Sequence, residues 1–280
     1  MPTIEKLTFK TKPEYMDWAG IEAMWREAEG IDQLDGGWLF DHLYPIYGDK
    51  SGPSFEGWTA LSYLAGITKR LRLGLLVSAI PYRNPALLAK MVTTFDHFSQ
   101  GRLDLGLGAG WNEDEASAYG MPLLPIGKRL SQFDEACAIV TSLLTQETTT
   151  LEGEYYQVKD AYCEPKPLQK PHPPIVMGGV GEKRFLKIAA RYADDWNHPG
   201  GSPEDFAHKL SVLHAHCETI GRDPAEIMPS CHVFVGENPN ETADQAAALA
   251  EVGARHICLY FVDKQHPDLL GPTVEAIARA

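Results

Sequence analysis

Short apolar stretches alternate with amphipathic stretches along the whole chain, and this alternation strongly constrains the fold. The apolar stretches predict eight strands, at 7–10, 36–40, 71–77, 103–107, 174–177, 193–197, 230–235 and 256–262. Helical spacing predicts helices over 14–29, 55–67, 85–98, 129–144, 182–191, 203–220, 242–252 and 269–280. Eight consecutive strand–helix units predict an α/β fold whose parallel sheet closes into a (β/α)8 TIM barrel. A doubly wound open sheet is the alternative, although it usually has fewer units.

One segment interrupts the alternation after the fourth βα unit. Residues 148–151 and 155–158, on either side of Glu152-Gly153, predict a short hairpin inside an insertion of about 145–173. We therefore interpret residues 1–280 as a single barrel domain that carries this insertion. Because loops that cover an active site exclude water, we expect the hairpin to be a mobile lid over the strand ends.

Charge and cysteine content limit the partners of the chain. The formal net charge of −13 argues against nucleic acid or an anionic membrane surface as a partner, because both require basic patches. The five cysteines form no Cys-x-x-Cys pair, which is typical of free thiols in a reducing compartment. Residues 1–12 contain no apolar signal segment. We expect a cytoplasmic protein that acts on a small-molecule substrate.

A glycine-rich loop follows the fourth predicted strand. Gly106, Gly108 and Gly110 would let a ligand approach the backbone closely. A dinucleotide fingerprint would need glycine where Trp111 stands, and the acids at 113–115 would lie where a pyrophosphate belongs. This argues against a Rossmann site, whereas glycines that serve only tight packing are an open alternative.

The same stretch carries a family resemblance. The sequence GRLDLGLGAGWN at 101–112, followed by Tyr119-Gly120, resembles the signature of the luciferase-like monooxygenase superfamily, and most closely its branch that uses the deazaflavin coenzyme F420. The resemblance implies a (β/α)8 barrel that binds a flavin or deazaflavin at the carboxyl ends of its strands. It also suggests a homodimer.

Asp41-His42, directly after the second predicted strand, is the candidate catalytic pair. An imidazole titrates near neutral pH, so His42 could move a proton or bind a cofactor ring, and Asp41 could brace it. A histidine that only caps a strand is the alternative. In the F420-dependent branch such a pair lies at the cofactor, so the resemblance implies catalytic roles for both residues and a cofactor contact for Asp41.

Three further strand ends are candidates for binding the cofactor. Gly178-Gly179-Val180-Gly181 precedes a predicted helix, whose N-terminus could hold a phosphate; an ordinary turn is the alternative. The resemblance implies that this loop binds the cofactor phosphate. It also places Leu76-Val77 where the family often has a non-proline cis peptide that supports the ring, and Ala109-Gly110 beside the cofactor.

Aromatic and polar residues near these strand ends predict a substrate pocket made by Trp38, Trp111 and Asn197, although aromatic residues are more often core. Sugar-phosphate dehydrogenases of the family carry an acid near position 111 and phosphate-binding residues after the sixth strand; this chain departs from both. The histidines at 208, 214 and 216 have no known metal-ligand spacing, so we expect no metal site.

These observations favour an oxidoreductase that uses F420 for hydride transfer to or from a small organic substrate. The first alternative is an FMN-dependent monooxygenase of the same superfamily, in which the reduced flavin meets oxygen. The second is a barrel that binds a flavin without catalysis.

Overall fold

The computed structural model describes residues 4–262 and 267–280. In chain order, the strands are β1 (Lys6–Lys10), β2 (Gly36–Leu39), β3 (Arg72–Leu75), β4 (Ser78–Ala79), β5 (Leu105–Gly108), β6 (Thr149–Glu152), β7 (Gln157–Ala161), β8 (Ile175–Gly178), β9 (Asp195–His198), β10 (Met228–Phe234) and β11 (His256–Tyr260). All except β6 and β7 form one parallel sheet in the order β3-β2-β1-β11-β10-β9-β8-β5-β4.

The two ends of this sheet meet, which makes a nearly closed barrel. Leu73 of β3 forms a parallel bridge with Leu103, which precedes β5. The Leu73 amide donates to the Arg102 carbonyl, and the Asp104 amide donates to the Leu73 carbonyl, both at 2.9 Å. The predicted TIM-barrel fold is confirmed.

The third predicted strand differs from the expectation. It is divided into β3, which pairs with β2, and β4, which pairs with β5. Leu76 and Val77 lie between the two pieces and are joined by a cis peptide bond. The division accounts for nine strands in the sheet where eight were predicted.

Helices cover the outside of the barrel. They are α1 (Trp18–Glu29), α2 (Gly57–Ile67), α3 (Pro85–Phe98), α4 (Glu113–Ala118), α5 (Ile126–Thr145), α6 (Phe185–Tyr192), α7 (Pro203–Thr219), α8 (Pro239–Glu251) and α9 (Leu270–Arg279). In the described ranges, none is long and apolar enough to cross a membrane.

The starts of α1, α5, α6 and α8 differ from the prediction by three or four residues, and one helix was not predicted. The helix expected from residue 14 begins at Trp18, because the Asp17 side chain accepts from the Gly20 amide and caps it. The helix expected from 182 begins at Phe185, after a turn at 182–184. The short helix α4 was missed.

A polar network fills the lower part of the barrel interior. The Thr8 hydroxyl accepts from the Trp38 indole N–H at 3.0 Å and lies 2.8 Å from His256 Nε2. His256 in turn contacts Asp195 at 2.7 Å, and Asp195 accepts from the Ser230 hydroxyl. Buried polar groups are stable when they are paired in this way. The filled lower interior leaves the carboxyl ends of the strands as the open end of the barrel.

Candidate active site

A cavity of about 530 Å³ opens at the carboxyl ends of the parallel strands. Its lining comes from the ends of β1, β2, β4, β5, β8, β9, β10 and β11. Residues that are far apart in the sequence therefore meet around one opening, as the barrel fold requires of its active sites.

Most of the predicted site residues line this cavity. They are Asp41, His42, Leu76, Val77, Ala109, Gly110, Trp111, Gly178, Gly179, Val180 and Asn197. Trp38 is the exception: it is buried deeper in the barrel, where it packs with Leu76 and donates to Thr8. Its assignment to the substrate pocket is wrong, because β2 places its side chain one layer below the cavity.

The expected lid also lies elsewhere. The hairpin β6–β7 packs along the outside of α5, and none of residues 145–173, all described, lines the cavity. The Glu135 carboxylate of α5 accepts from the amides of Glu154, Tyr155 and Tyr156 at 2.9, 2.9 and 3.2 Å. Three backbone donors are satisfied by this one carboxylate, which ties the turn to the helix.

Val77 forms an apolar shelf in the cavity wall. Its two methyl groups point toward glycines of the neighbouring strands: a Cβ on Gly108 would lie 2.3 Å from one methyl, and a Cβ on Gly178 would lie 3.2 Å from the other. A side chain at position 108 would clash with Val77, and one at position 178 would crowd it. The shelf fits one face of a flat, largely apolar ring.

The glycine loop 178–181 lies on the side of the cavity from which α6 begins. Gly181 and Phe185 both line the cavity, and the first turn of α6 has no acidic residue. The Arg184 guanidinium reaches the Gly127 carbonyl and the Ser131 hydroxyl of α5, the latter at 2.7 Å. A helix N-terminus at the cavity fits a phosphate-bearing chain, whereas the Arg184 contacts tie the start of α6 to α5.

His42 is held by a residue that the sequence analysis missed. Its Nδ1 lies 2.7 Å from the carboxylate of Glu115, which is fully buried. The same carboxylate accepts from the Leu43 amide at 2.6 Å, from the Tyr44 amide at 3.3 Å and from the Tyr82 hydroxyl at 2.6 Å. Glu115 therefore fixes both the imidazole and the loop that carries it.

The negative charge of Glu115 determines which ring nitrogen of His42 carries a proton. Burial raises the pKa of Glu115, but hydrogen bonds from His42 and Tyr82 outweigh burial and hold that pKa below its usual value. An ionised carboxylate only accepts hydrogen bonds, so His42 Nδ1 donates. Nε2 is then the ring nitrogen left to exchange a proton with a ligand.

Asp41 does not brace His42, which corrects one part of the expectation. Both terminal nitrogens of Arg83 contact its carboxylate, and the Ala79 amide donates to it at 3.0 Å. Burial raises the pKa of Asp41 above its usual value, and the Arg83 ion pair opposes that shift. Asp41 thus joins β4 to the β2 end while lining the cavity, and its contact with a cofactor stays a prediction.

Trp111 forms part of the cavity rim. It is 63% exposed, and its ring meets the His42 ring edge to face at a centroid distance of 5.3 Å. Asn197, by contrast, is buried, and its amide donates to Ser230 at 3.1 Å. Among the described residues no group of three His, Cys, Asp or Glu side chains could hold a metal ion.

Sequence comparisons match most of the chain. A model of the family described as luciferase-like monooxygenase matches residues 9–272. An uncharacterised protein of Mycobacterium tuberculosis is 35% identical over 233 residues, which cover 80% of this chain and 78% of that protein. The phthiodiolone/phenolphthiodiolone dimycocerosates ketoreductase of the same species is 28% identical over 232 residues, which cover 75% of this chain and 60% of that enzyme.

Solved structures share the fold at low sequence identity. An F420-dependent secondary alcohol dehydrogenase in complex with an F420–acetone adduct superposes with a TM-score of 0.87 at 18% identity, covering 99% of both chains. The 3,6-diketocamphane monooxygenase from Pseudomonas putida, in complex with FMN, gives 0.77 at 14% identity, covering 99% of this chain and 98% of that one.

Proposed function

The chain belongs to the luciferase-like monooxygenase family, a family of oxidoreductases, and from this premise we propose that it uses F420 to transfer a hydride to or from a small organic substrate. The observation that carries the proposal is the His42–Glu115 pair, which faces a cavity at the catalytic end of the barrel. Reduction of a carbonyl needs one hydride and one proton. The chain must therefore supply a group that handles the proton, and His42 has the position and the free nitrogen for it.

Each part of the cavity has a function in this proposal. The Val77 shelf supports the ring, and the glycine loop with α6 binds the phosphate. When bound, the deazaflavin supplies the hydride and reacts poorly with oxygen. His42 exchanges the proton at Nε2 while Glu115, a positioning residue, keeps Nδ1 protonated and the ring oriented. Trp111 covers the imidazole at the rim and limits the access of water.

One observation favours F420 over FMN. Asp41-His42 matches the pair that the F420-dependent branch carries after its second strand, and both residues line the cavity. The related ketoreductase and the acetone adduct both involve carbonyl chemistry, which makes ketones and aldehydes the substrates to test first.

Cofactor titration followed by turnover tests this proposal. The purified chain is titrated with F420 and with FMN by fluorescence, and reduced F420 is then offered with a panel of ketones, aldehydes and enones. We expect F420 to bind more tightly than FMN and its reduced form to be oxidised by at least one carbonyl compound without oxygen. Preferential FMN binding with oxygen consumption would identify the monooxygenase alternative. F420 binding without turnover of any substrate would support the non-catalytic barrel.

A further inference from the structure

A buried lysine lies in the cavity without an ionic partner among the described residues. Lys10, the last residue of β1, is 6% exposed and lines the cavity. Its ammonium lies 4.2 Å from the centroid of the Tyr260 ring. Among the described residues no carboxylate forms an ion pair with it, and burial lowers its pKa to about 8. Because a buried charge is costly unless paired, this lysine calls for an explanation.

A second buried polar atom near it, Nε2 of His232, has no hydrogen-bond partner among the described residues, while the ring also bonds to the Pro199 backbone. His232 of β10 is 6% exposed and lines the same cavity, and its Nε2 makes no hydrogen bond within the described chain. Its ring lies 5.2 Å from that of Tyr260. Burial, and then the charge of Lys10, lower the pKa of His232 well below its usual value, so the imidazole is neutral. Buried polar atoms are rarely left unpaired.

The nearby carboxylates of Asp41 and Glu115 have other partners than Lys10 and His232. Asp41, which also lines the cavity, is paired with Arg83. The Glu115 carboxylate is taken up by His42 and its loop. The cavity thus presents one cation and one neutral imidazole on either side of an aromatic ring, on the adjacent strands β1, β11 and β10. This is an environment suited to an oxyanion, and no described residue provides one.

The barrel order separates this cluster from the ring support. Val77 lies between β3 and β4, the two ends of the strand order, whereas β11 and β10 are the fourth and fifth of its nine strands. In the nearly closed barrel β11 and β10 therefore lie across the cavity from Val77, and Lys10 of β1 reaches the Tyr260 ring of β11. A ring on the Val77 shelf therefore leaves the cluster open to a substrate.

We propose that Lys10, His232 and Tyr260 form a subsite for a carboxylate of the substrate, so that the carbonyl compound acted on at His42 is a carboxylic acid with an apolar body. The assignment of the carbonyl compound rests on the proposed function. The apolar body follows from the wall residues around the cavity, which include Trp111, Ile126 and Phe234. Lys10 supplies a charge-assisted hydrogen bond to the carboxylate, and the neutral His232 and the Tyr260 ring form the wall beside it.

Calorimetric titration with benzoate and benzamide tests the subsite, because the two probes share a shape and differ in charge. We expect the wild-type chain, with and without F420, to bind benzoate at least about tenfold more tightly than benzamide. Lys10→Met should abolish this preference and Lys10→Arg should retain much of it. Lys159→Met, an equal charge change on the exposed strand β7, should leave it unaltered.

Three outcomes would overturn the proposal. These are no measurable preference for benzoate in the wild type, a preference that survives Lys10→Met, or a Lys10→Met variant that loses F420 affinity about tenfold and keeps benzoate binding. The last outcome would place a ring oxygen of the cofactor at Lys10. If F420 fails to bind while cofactor-free protein shows the Lys10-dependent preference, the proposed cofactor is wrong and the carboxylate subsite stands.

Discussion

Nδ1 of His42 lies 2.7 Å from the carboxylate of Glu115, a residue 73 positions further along the chain. The contact joins the loop after β2 to the short helix α4 that follows β5. Asn112 caps α4 by accepting from the Glu115 amide at 3.2 Å, while the buried Glu115 side chain reaches the loop after β2. A small helix is in this way used to place one carboxylate.

His42→Ala tests the proton-handling role. We expect the variant to fold, to bind F420 within about tenfold of the wild type, and to lose about 10²–10⁴ in turnover. Binding should change little because one hydrogen bond to a ring is worth only about 1 kcal/mol. Fluorescence titration and the rate of F420 oxidation measure the two effects. A wild-type rate would show that His42 is a bystander.

Glu115→Gln separates positioning from charge. The pKa of Glu115 is lowered in the folded state, so its ionised form stabilises the fold above the unfolded pKa of about 4.5 and this contribution is lost as pH falls through the folded pKa. We expect the variant to lose about 1–3 kcal/mol in the free energy of unfolding at neutral pH. The loss should shrink below about pH 4, where the wild-type carboxyl is protonated.

Urea unfolding at the two pH values measures this difference, and Glu113→Gln in the same helix is the matched control. The Glu113 side chain is 76% exposed, and its contact with Arg129 is 3.8 Å long, so its loss should change stability little. Equal effects of the two substitutions at neutral pH would contradict the role assigned to Glu115.

The barrel was predictable because the spacing of apolar residues and the order of strands and helices can be read from local sequence. Several contacts in the site join residues that are far apart in the chain, and local sequence does not show them. Glu115 stands among acids that the sequence analysis considered only as obstacles to a pyrophosphate, and nothing local indicates its contact with His42. Asn112 and Glu115 have the spacing of a capping box, which could have predicted α4.

Three other differences have physical reasons. The Leu76–Val77 interruption lies in an apolar run that is indistinguishable from a continuous strand. Trp38 was placed in the pocket because strand alternation does not tell which layer of a barrel interior a residue occupies. The hairpin was expected over the opening because an insertion does not reveal the face on which it packs. Its anchor, Glu135, looks in sequence like any exposed helix acid.

Gly181→Val tests the phosphate loop more cleanly than a change at Gly179. Gly179 has φ +155°, and a Cβ there would lie 2.9 Å from the Phe185 ring, so a side chain would disturb the fold as well as the ligand. At Gly181 a Cβ would lie 3.3 Å from Phe185 Cβ, and the backbone is not left-handed. We expect F420 affinity to fall by at least about tenfold with a small change in Tm.

Gly236→Val is the control for that substitution, because a Cβ there meets nothing within 4 Å and the residue does not line the cavity. Fluorescence titration and thermal unfolding are recorded for both variants. Unaltered F420 binding in a folded Gly181→Val protein would remove the loop from the cofactor site.

Lys10→Met should stabilise the chain at neutral pH, since no described residue forms an ion pair with this buried cation of the wild type. The unfolded chain holds the Lys10 proton up to about pH 10.5 and the folded chain only up to about pH 8, so the cost of the charge is complete below pH 8 and is relieved as pH rises between the two values. A pKa lowered from 10.5 to about 8 corresponds to about 3 kcal/mol, which sets the upper limit of the gain in unfolding free energy.

The gain over the wild type should therefore be largest near about pH 7 and decline toward about pH 10, whereas Lys159→Met should show no such trend. Urea unfolding across this range measures both variants. A Lys10→Met protein less stable than the wild type at neutral pH would mean that the ammonium is stabilised within the folded chain, and would contradict the account of Lys10 as a group that awaits a ligand.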